Sequence, residues 1–211
     1  MNKPFNPAAE RNKVPILATI ERYLLGSRDV LEIGAGSGQH AVYLAAQLPH
    51  LRWQPSEQAD HLAGLKSTLA DVRLANLLPA LELNVLHEPW PLATLDAVFA
   101  ANVVQCMSSP ALEALFRGVG TRLAAQGVFL LYGPFNRDGR FTSEGNQQLD
   151  AWARSLHADF GLRDREHLEQ LAARHGLRLC EDHVMPANNQ LLVWRAAASR
   201  TPNADSQAPV T

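Results

Sequence analysis

One turn constrains this chain more than any other stretch. Gly34-Ala35-Gly36-Ser37-Gly38 follows directly on the apolar run Val30-Leu31-Glu32-Ile33. Glycine takes positive φ freely and puts no Cβ between the backbone and a ligand. A glycine turn between a short apolar strand and a helix is the geometry of a ligand loop at the carboxyl edge of a parallel sheet. The apolar pattern predicts that strand over residues 29–33 and the helix over 39–48, with Pro49 ending it.

The rest of the chain alternates in the same way. Apolar runs predict further strands at 51–54, 81–85, 95–101 and 128–132, and a closing pair at 177–184 and 190–195. Helical spacing predicts helices at 15–25, 59–70, 109–123, 149–156 and 165–175. Arg11 and Asn12 fall before the first of these. Gln126-Gly127 reads as a turn. Strands alternating with helices imply an α/β, Rossmann-like fold: a mainly parallel sheet with helices on both faces. Ligands bind such sheets beyond the carboxyl ends of the strands, at the switch point beside the first strand. The expected division is an N-terminal lid segment and helix over 1–28, a ligand-binding domain over 29–195 and a disordered tail over 196–211. The tail has no apolar periodicity and is rich in Ala, Ser, Pro and Asn.

Composition removes several function classes. The net charge is −2, which leaves no electrostatic footprint for nucleic acid or an anionic membrane. Two cysteines, Cys106 and Cys180, make neither a disulfide framework nor a zinc site alone, and no metal is expected. Cys180, in an alternating apolar stretch, reads as a core thiol. No signal-peptide core and no apolar run of about 20 residues is present, so the expectation is a cytoplasmic chain without a membrane partner.

The loop spacing is G-x-G-x-G. The dinucleotide fingerprint G-x-G-x-x-G needs glycine at position 39, where Gln39 stands. A pyrophosphate cradle is therefore disfavoured, and S-adenosylmethionine (SAM), which has none, fits Gly34, Ala35, Gly36 and Gly38 better. Glu32 is a carboxylate in an apolar strand and needs partners. It meets the ammonium of the methionine moiety, braces the loop amides, or pairs with Arg11. Glu57, at the end of the second strand, is placed for the ribose hydroxyls, unless it only caps a helix. Asn84, after the third strand, is placed for the adenine amino group, unless it is a turn residue. Asn102, after the fourth strand, is placed for the methionine part, with Arg11 and Asn12 folding over as a lid.

Methyl transfer needs an aligned nucleophile more than a reactive side chain, and a base only where the acceptor must lose a proton. Tyr132 and Gln105 are the catalytic candidates. Phe135, Arg137, Arg140 and Asn188 are the acceptor-binding candidates. Arg11, Arg137 and Arg140 together imply an acceptor with a carboxylate or phosphate, unless they tie polar loops to carbonyls, Asp138 or Asp164. The leading expectation is a small-molecule methyltransferase. A SAM-binding regulatory or scaffold protein without turnover is the alternative, and a nicotinamide oxidoreductase is disfavoured by Gln39.

Several strings are unusual together: Pro7-Ala8-Ala9-Glu10-Arg11-Asn12, the loop from Leu31 to His40, Trp53-Gln54-Pro55-Ser56 and Leu131-Tyr132-Gly133-Pro134-Phe135. Arg137-Asp138-Gly139-Arg140, Gly161-Leu162-Arg163-Asp164 and Met185-Pro186-Ala187-Asn188-Asn189 join them. In these, residues 5–195 resemble the domain of unknown function 938 family, which includes methyltransferase-like 26. The resemblance implies a class I SAM-dependent methyltransferase fold, with a seven-stranded sheet whose last strand runs antiparallel. It implies no acceptor. The chain departs from the family pattern at Asn84, where relatives tend to carry aspartate, and at Gln105, where they tend to carry histidine. The second departure removes a base at that position.

Overall fold

A computed structural model of the chain describes residues 4–197. Most of the expected tail, 198–211, lies outside them. Helix α1 spans Pro7–Leu24, and strand β1 spans Asp29–Ile33. There follow α2 (Gln39–Gln47), β2 (Arg52–Glu57), α3 (Ala59–Leu69), β3 (Leu81–Glu82) and β4 (Leu95–Ala101). Helix α4 (Ser109–Arg122) leads into β5 (Leu123–Gly133), then β6 (Phe135–Asn136), α5 (Glu144–Leu156) and β7 (Arg163–Asp164). Helix α6 (Arg165–Arg174), β8 (Leu177–Met185) and β9 (Asn189–Ala196) close the chain.

The main sheet has seven strands in the order β3-β2-β1-β4-β5-β9-β8. The pairs from β3 to β5 are parallel, and β9 runs antiparallel to both β5 and β8. The last strand is thus the reversed one. Strand β1 leads to β2 on one side, and the chain later returns to β1's other side as β4, so the switch point lies between β1 and β4. Strands β6 and β7 form a separate parallel pair.

Alternation along the strands divides the core in two. Val98, Ala100, Phe129 and Leu131 face α4 and α6 through Leu115, Phe116, Val119, Leu168 and Leu171. Ala97, Phe99, Val128 and Leu130 face α1 and α2 through Ile16, Ile20, Leu24, Ala41 and Leu44. Both faces of β4 and β5 are buried, as their near-continuous apolar sequence requires.

Four local expectations are corrected. Helix α1 begins at Pro7, not residue 15, because Asn6 Oδ1 accepts from the amides of Ala8 and Ala9 and Pro7 sits in the first turn. Arg11 and Asn12 are therefore helical, and Pro15 lies inside the helix. Strand β3 stops at Glu82, since Asn84 turns the chain: its Oδ1 accepts from the Leu86 amide at 3.0 Å. Gln126 and Gly127 are absorbed into β5, with a register shift against β4 between Leu95 and Ala97. Cys180 is half-buried on the edge strand β8 rather than in the core.

Candidate functional site

The turn after β1 adopts the strained geometry that its glycines allow. Gly34, Gly36 and Gly38 have φ of +67°, +54° and +76°. A Cβ at Gly34 would lie 2.5 Å from Val103 Cγ1, and one at Gly38 would lie 2.9 Å from Leu65 Cδ1, so these two are closed in by protein. A Cβ at Gly36 would meet no heavy atom within 4 Å. Gly36 is therefore the glycine that leaves backbone open to a ligand. Ala35 is buried, and its amide donates to the Ser56 carbonyl at 2.9 Å, which ties the turn to β2.

Glu57 closes the other side of this cradle. Its Oε2 accepts from the Gly36 amide at 2.8 Å and its Oε1 from the Gln58 amide at 2.8 Å. A carboxylate has about four lone-pair sites. Two stay free here, in a side chain that is 7% exposed, for a ligand with paired hydroxyl donors. The residues present fit a ribose beside an open backbone turn.

Glu32 neither braces the loop amides nor pairs with Arg11. It is 1% exposed, and Trp53 Nε1 donates to its Oε2 at 2.7 Å. It is a strut between β1 and β2. Burial raises its carboxyl to about 7, against the Trp53 hydrogen bond, and the nearby Glu57 charge adds to the rise.

The start of α1 is strapped to the loop by polar contacts. Gln39 Oε1 accepts from the Asn6 amide at 2.6 Å and from Ser37 Oγ at 2.9 Å, and Gln39 Nε2 donates to Glu10 Oε2 at 3.0 Å. His40 Nε2 lies 2.7 Å from Asn12 Oδ1 in a buried contact, and burial lowers the imidazole to about 4. Neutral His40 is then the donor and Asn12 Oδ1 the acceptor. Burial pushes the Tyr132 hydroxyl above the usual phenol range, and the nearby Asn12 side chain pulls it back.

Two cavities flank the loop. One, of about 520 Å³, lies beyond the ends of β2 and β3 and is lined by Gln58, Ala59, Asp60, Glu82, Asn84 and Glu88 among others. The second, of about 600 Å³, lies beyond β4 and β5 and is lined by Arg11, Asn12, Asn102, Gln105, Tyr132 and Trp152 among others. Since β1 sits between β2 and β4, its loop separates them. Asn102 holds φ +55° and turns the chain away from β4; its amide donates to the Tyr132 carbonyl at 2.9 Å.

A family model described as a protein of unknown function (DUF938) matches residues 3–196. The chain belongs to this family. Its fold is also that of solved methyltransferases. Mitomycin 7-O-methyltransferase is 17% identical, with a TM-score of 0.76 over 89% of this chain and 54% of that one. The S-adenosylmethionine-dependent methyltransferase SibL, in its apo form, is 18% identical, with a TM-score of 0.75 over 90% and 56%. Human N-acetylserotonin methyltransferase, in complex with SAM, is 15% identical, with a TM-score of 0.73 over 89% and 52%. At these identities the likeness is one of fold, and this chain spans a little over half the length of each.

The DUF938 chain does not bring all of its expected acceptor residues together. Phe135 is 0% exposed in the core under α4 and α6 and does not reach the cavity. Arg137 donates to Asp182 at 2.5 Å and to Gln190 at 2.8 Å, so it ties β8 and β9 to the loop after β6. Arg140 is exposed outside the cavity, its backbone paired with Arg137. Asn188 is exposed; its carbonyl accepts from Asn146 Nδ2 at 3.1 Å, while its neighbours Ala187 and Asn189 line the cavity. The three arginines do not converge: Arg11 alone lines the cavity.

Sequence reasoning missed Gln39 as a strap, having weighed it only as a break in the dinucleotide spacing. It also missed Trp152 and Leu149, which α5 turns toward the second cavity. Their three-residue spacing put them on one helical face, but which face was covered depended on the tertiary fold. Among the described residues no group of three or more His, Cys, Asp or Glu could hold a metal ion, and no helix is long and apolar enough to cross a membrane.

Proposed function

We propose that this chain is a SAM-dependent methyltransferase acting on a small-molecule acceptor. The observation that carries the reading is the open backbone at Gly36 facing a buried Glu57 with lone pairs to spare. Glu57 takes the ribose hydroxyls, the turn at Gly34, Ala35, Gly36 and Gly38 carries the middle of the cofactor, and the cavity beyond β2 and β3, which Asn84 lines, takes the adenine end. Asn102 and Asn12 serve the methionine end, the start of α1 from Asn6 to Asn12 forms the lid, and Arg11 on that lid faces the acceptor cavity. The straps from Asn6 and Glu10 to Gln39 support that division. The methyltransferase fold of the solved neighbours supports the cofactor assignment.

When bound, SAM supplies an electrophilic methyl group on a sulfonium. The chain's own residues then position and desolvate an acceptor. Among the described residues, no Asp, Glu or His lines the second cavity. Tyr132 stays protonated at neutral pH and donates rather than abstracts, and Gln105 does not titrate. The reading therefore requires an acceptor atom that already carries an available lone pair. Calorimetry with SAM and S-adenosylhomocysteine, followed by methyl transfer from labelled SAM to a metabolite pool, tests the proposal. No heat at millimolar cofactor refutes it.

A further inference from the structure

We infer that the cavity beyond β4 and β5 selects a flat, apolar acid: a one- or two-ring aromatic carboxylate that also carries a hydrogen-bond donor. The inference rests on the methyltransferase reading only for the term acceptor. The selectivity itself follows from three features of the wall.

The first is charge. Arg11 is the only charged side chain among the described residues that line this cavity, and it has no ion pair or hydrogen bond with any described residue. The cavity on the far side of the loop is lined by Asp60, Glu82 and Glu88 instead. An anion is therefore steered to the Arg11 side, and a cation is not. Arg137 and Arg140, which would have made a strongly cationic site, are placed elsewhere, so one negative group is matched rather than several.

The second is the apolar wall. Trp152 on α5 is 52% exposed, whereas Trp53, Trp90 and Trp194 are at most 2% exposed. Leu149, one turn earlier on α5, and Pro134 and Pro186 extend that wall. An exposed indole in a cavity offers a stacking face to a planar ring.

The third is a single unpaired acceptor. Gln105 is 6% exposed, and its Nε2 donates to the Asn102 carbonyl at 3.0 Å. That bond fixes the amide and leaves Oε1 buried without a partner. Oε1 lies 4.0 Å from where a Cβ on Gly133 would stand, with Asn102 Oδ1 3.9 Å from the same point, and Gln105 and Asn102 both line the cavity. Buried polar atoms in native folds find partners. A hydroxyl or amine on the ligand supplies this one, while its carboxylate meets the exposed Arg11.

The test is isothermal calorimetry on the full chain saturated with S-adenosylhomocysteine, with 6-hydroxy-2-naphthoate, 2-naphthoate, 2-naphthol and 6-hydroxy-2-naphthylmethylamine as probes. The hydroxynaphthoate is expected to bind about tenfold tighter than 2-naphthol, the scale of one charge-assisted hydrogen bond. Arg11→Ala should remove that preference without moving the melting temperature, since Arg11 is exposed. Gln105→Leu should remove the preference over 2-naphthoate, and Trp152→Ala should weaken every probe and abolish the quenching of exposed tryptophan fluorescence. Equal binding of naphthol and hydroxynaphthoate, tightest binding of the amine, or no probe binding to the cofactor-loaded chain would overturn the inference. Failure of S-adenosylhomocysteine itself to bind would refute the methyltransferase reading instead; the same titrations without it then decide the cavity's selectivity.

Discussion

At Glu57 two backbone amides, from Gly36 and Gln58, already hold the carboxylate where a ribose would meet it. Replacing it with alanine removes both the proposed ribose contact and the anchor of the open turn. Glu57→Ala should weaken S-adenosylhomocysteine by about 1–3 kcal/mol, the scale of a hydrogen bond to a charged group, in a calorimetric titration. An unchanged dissociation constant would assign the ribose to another residue. Gly36→Val should lose cofactor binding outright, because its Cβ enters empty space kept for the ligand and its φ of +54° strains any L-residue. Glu32 makes a different prediction. Its carboxyl stands at about 7 when folded, against about 4.5 unfolded. The folded state thus holds the proton longer, and stability is full below 4.5 and lost as pH rises toward 7. His40 works in the opposite sense, losing stability as pH falls from 6.5 toward 4. The two partly cancel in the wild type. The difference in unfolding free energy between Glu32→Gln and wild type isolates the first: it should grow in favour of the variant between pH 4.5 and 7 and level off above. A flat difference across that window would place Glu32's carboxyl near its ordinary value.

At the scale of elements, α1 joins two functions. Its second half buries Ile16, Ile20 and Leu24 in the core, while its first half is held by polar straps to Gln39 and His40. Gln39→Ala should cut the Asn6 and Glu10 contacts with a small loss of melting temperature, because Ile16, Ile20 and Leu24 still hold the helix. Amide exchange in residues 6–12 should quicken several-fold while that of 16–24 does not. Equal protection in the variant would show that the straps hold nothing. The same helix shows what the sequence made legible. Apolar periodicity found the part of α1 that packs, and missed residues 7–14, whose helicity comes from the Asn6 cap and the straps. Alternation and apolar runs located β1, β4 and β5 because those strands are buried on both faces. They overextended β3, where Asn84 spends its side chain on a turn rather than leaving 83–85 in the sheet. The glycine turn and the place of Glu57 at the end of β2 were legible because backbone geometry and strand order dictate them. The acceptor residues were not. Phe135 and Arg137 are close in sequence to the cavity yet point into the core and toward Asp182, and nothing in local spacing tells a lining residue from a packing one.

Across the described molecule, the sheet order puts one loop between two cavities of opposite character, acidic beyond β2 and β3 and, among the described residues, carrying a single arginine beyond β4 and β5. The core behind them is independent of that chemistry. Phe129 on β5 packs edge-on to Phe116 of α4, with ring centroids 5.8 Å apart, far from the loop end of the strand. Phe129→Ala should cost about 3–5 kcal/mol in denaturant unfolding and leave cofactor affinity per folded molecule unchanged. A parallel loss of affinity would couple the core to the site. The cradle at Gly36 and Glu57 is the central claim, and a calorimetric titration of S-adenosylhomocysteine into wild type and Gly36→Val tests it most directly. The account predicts one saturable site in the wild type and none in the variant, with the two chains giving the same circular dichroism. Absence of binding to the wild type at millimolar ligand, or equal binding to both chains, would contradict it.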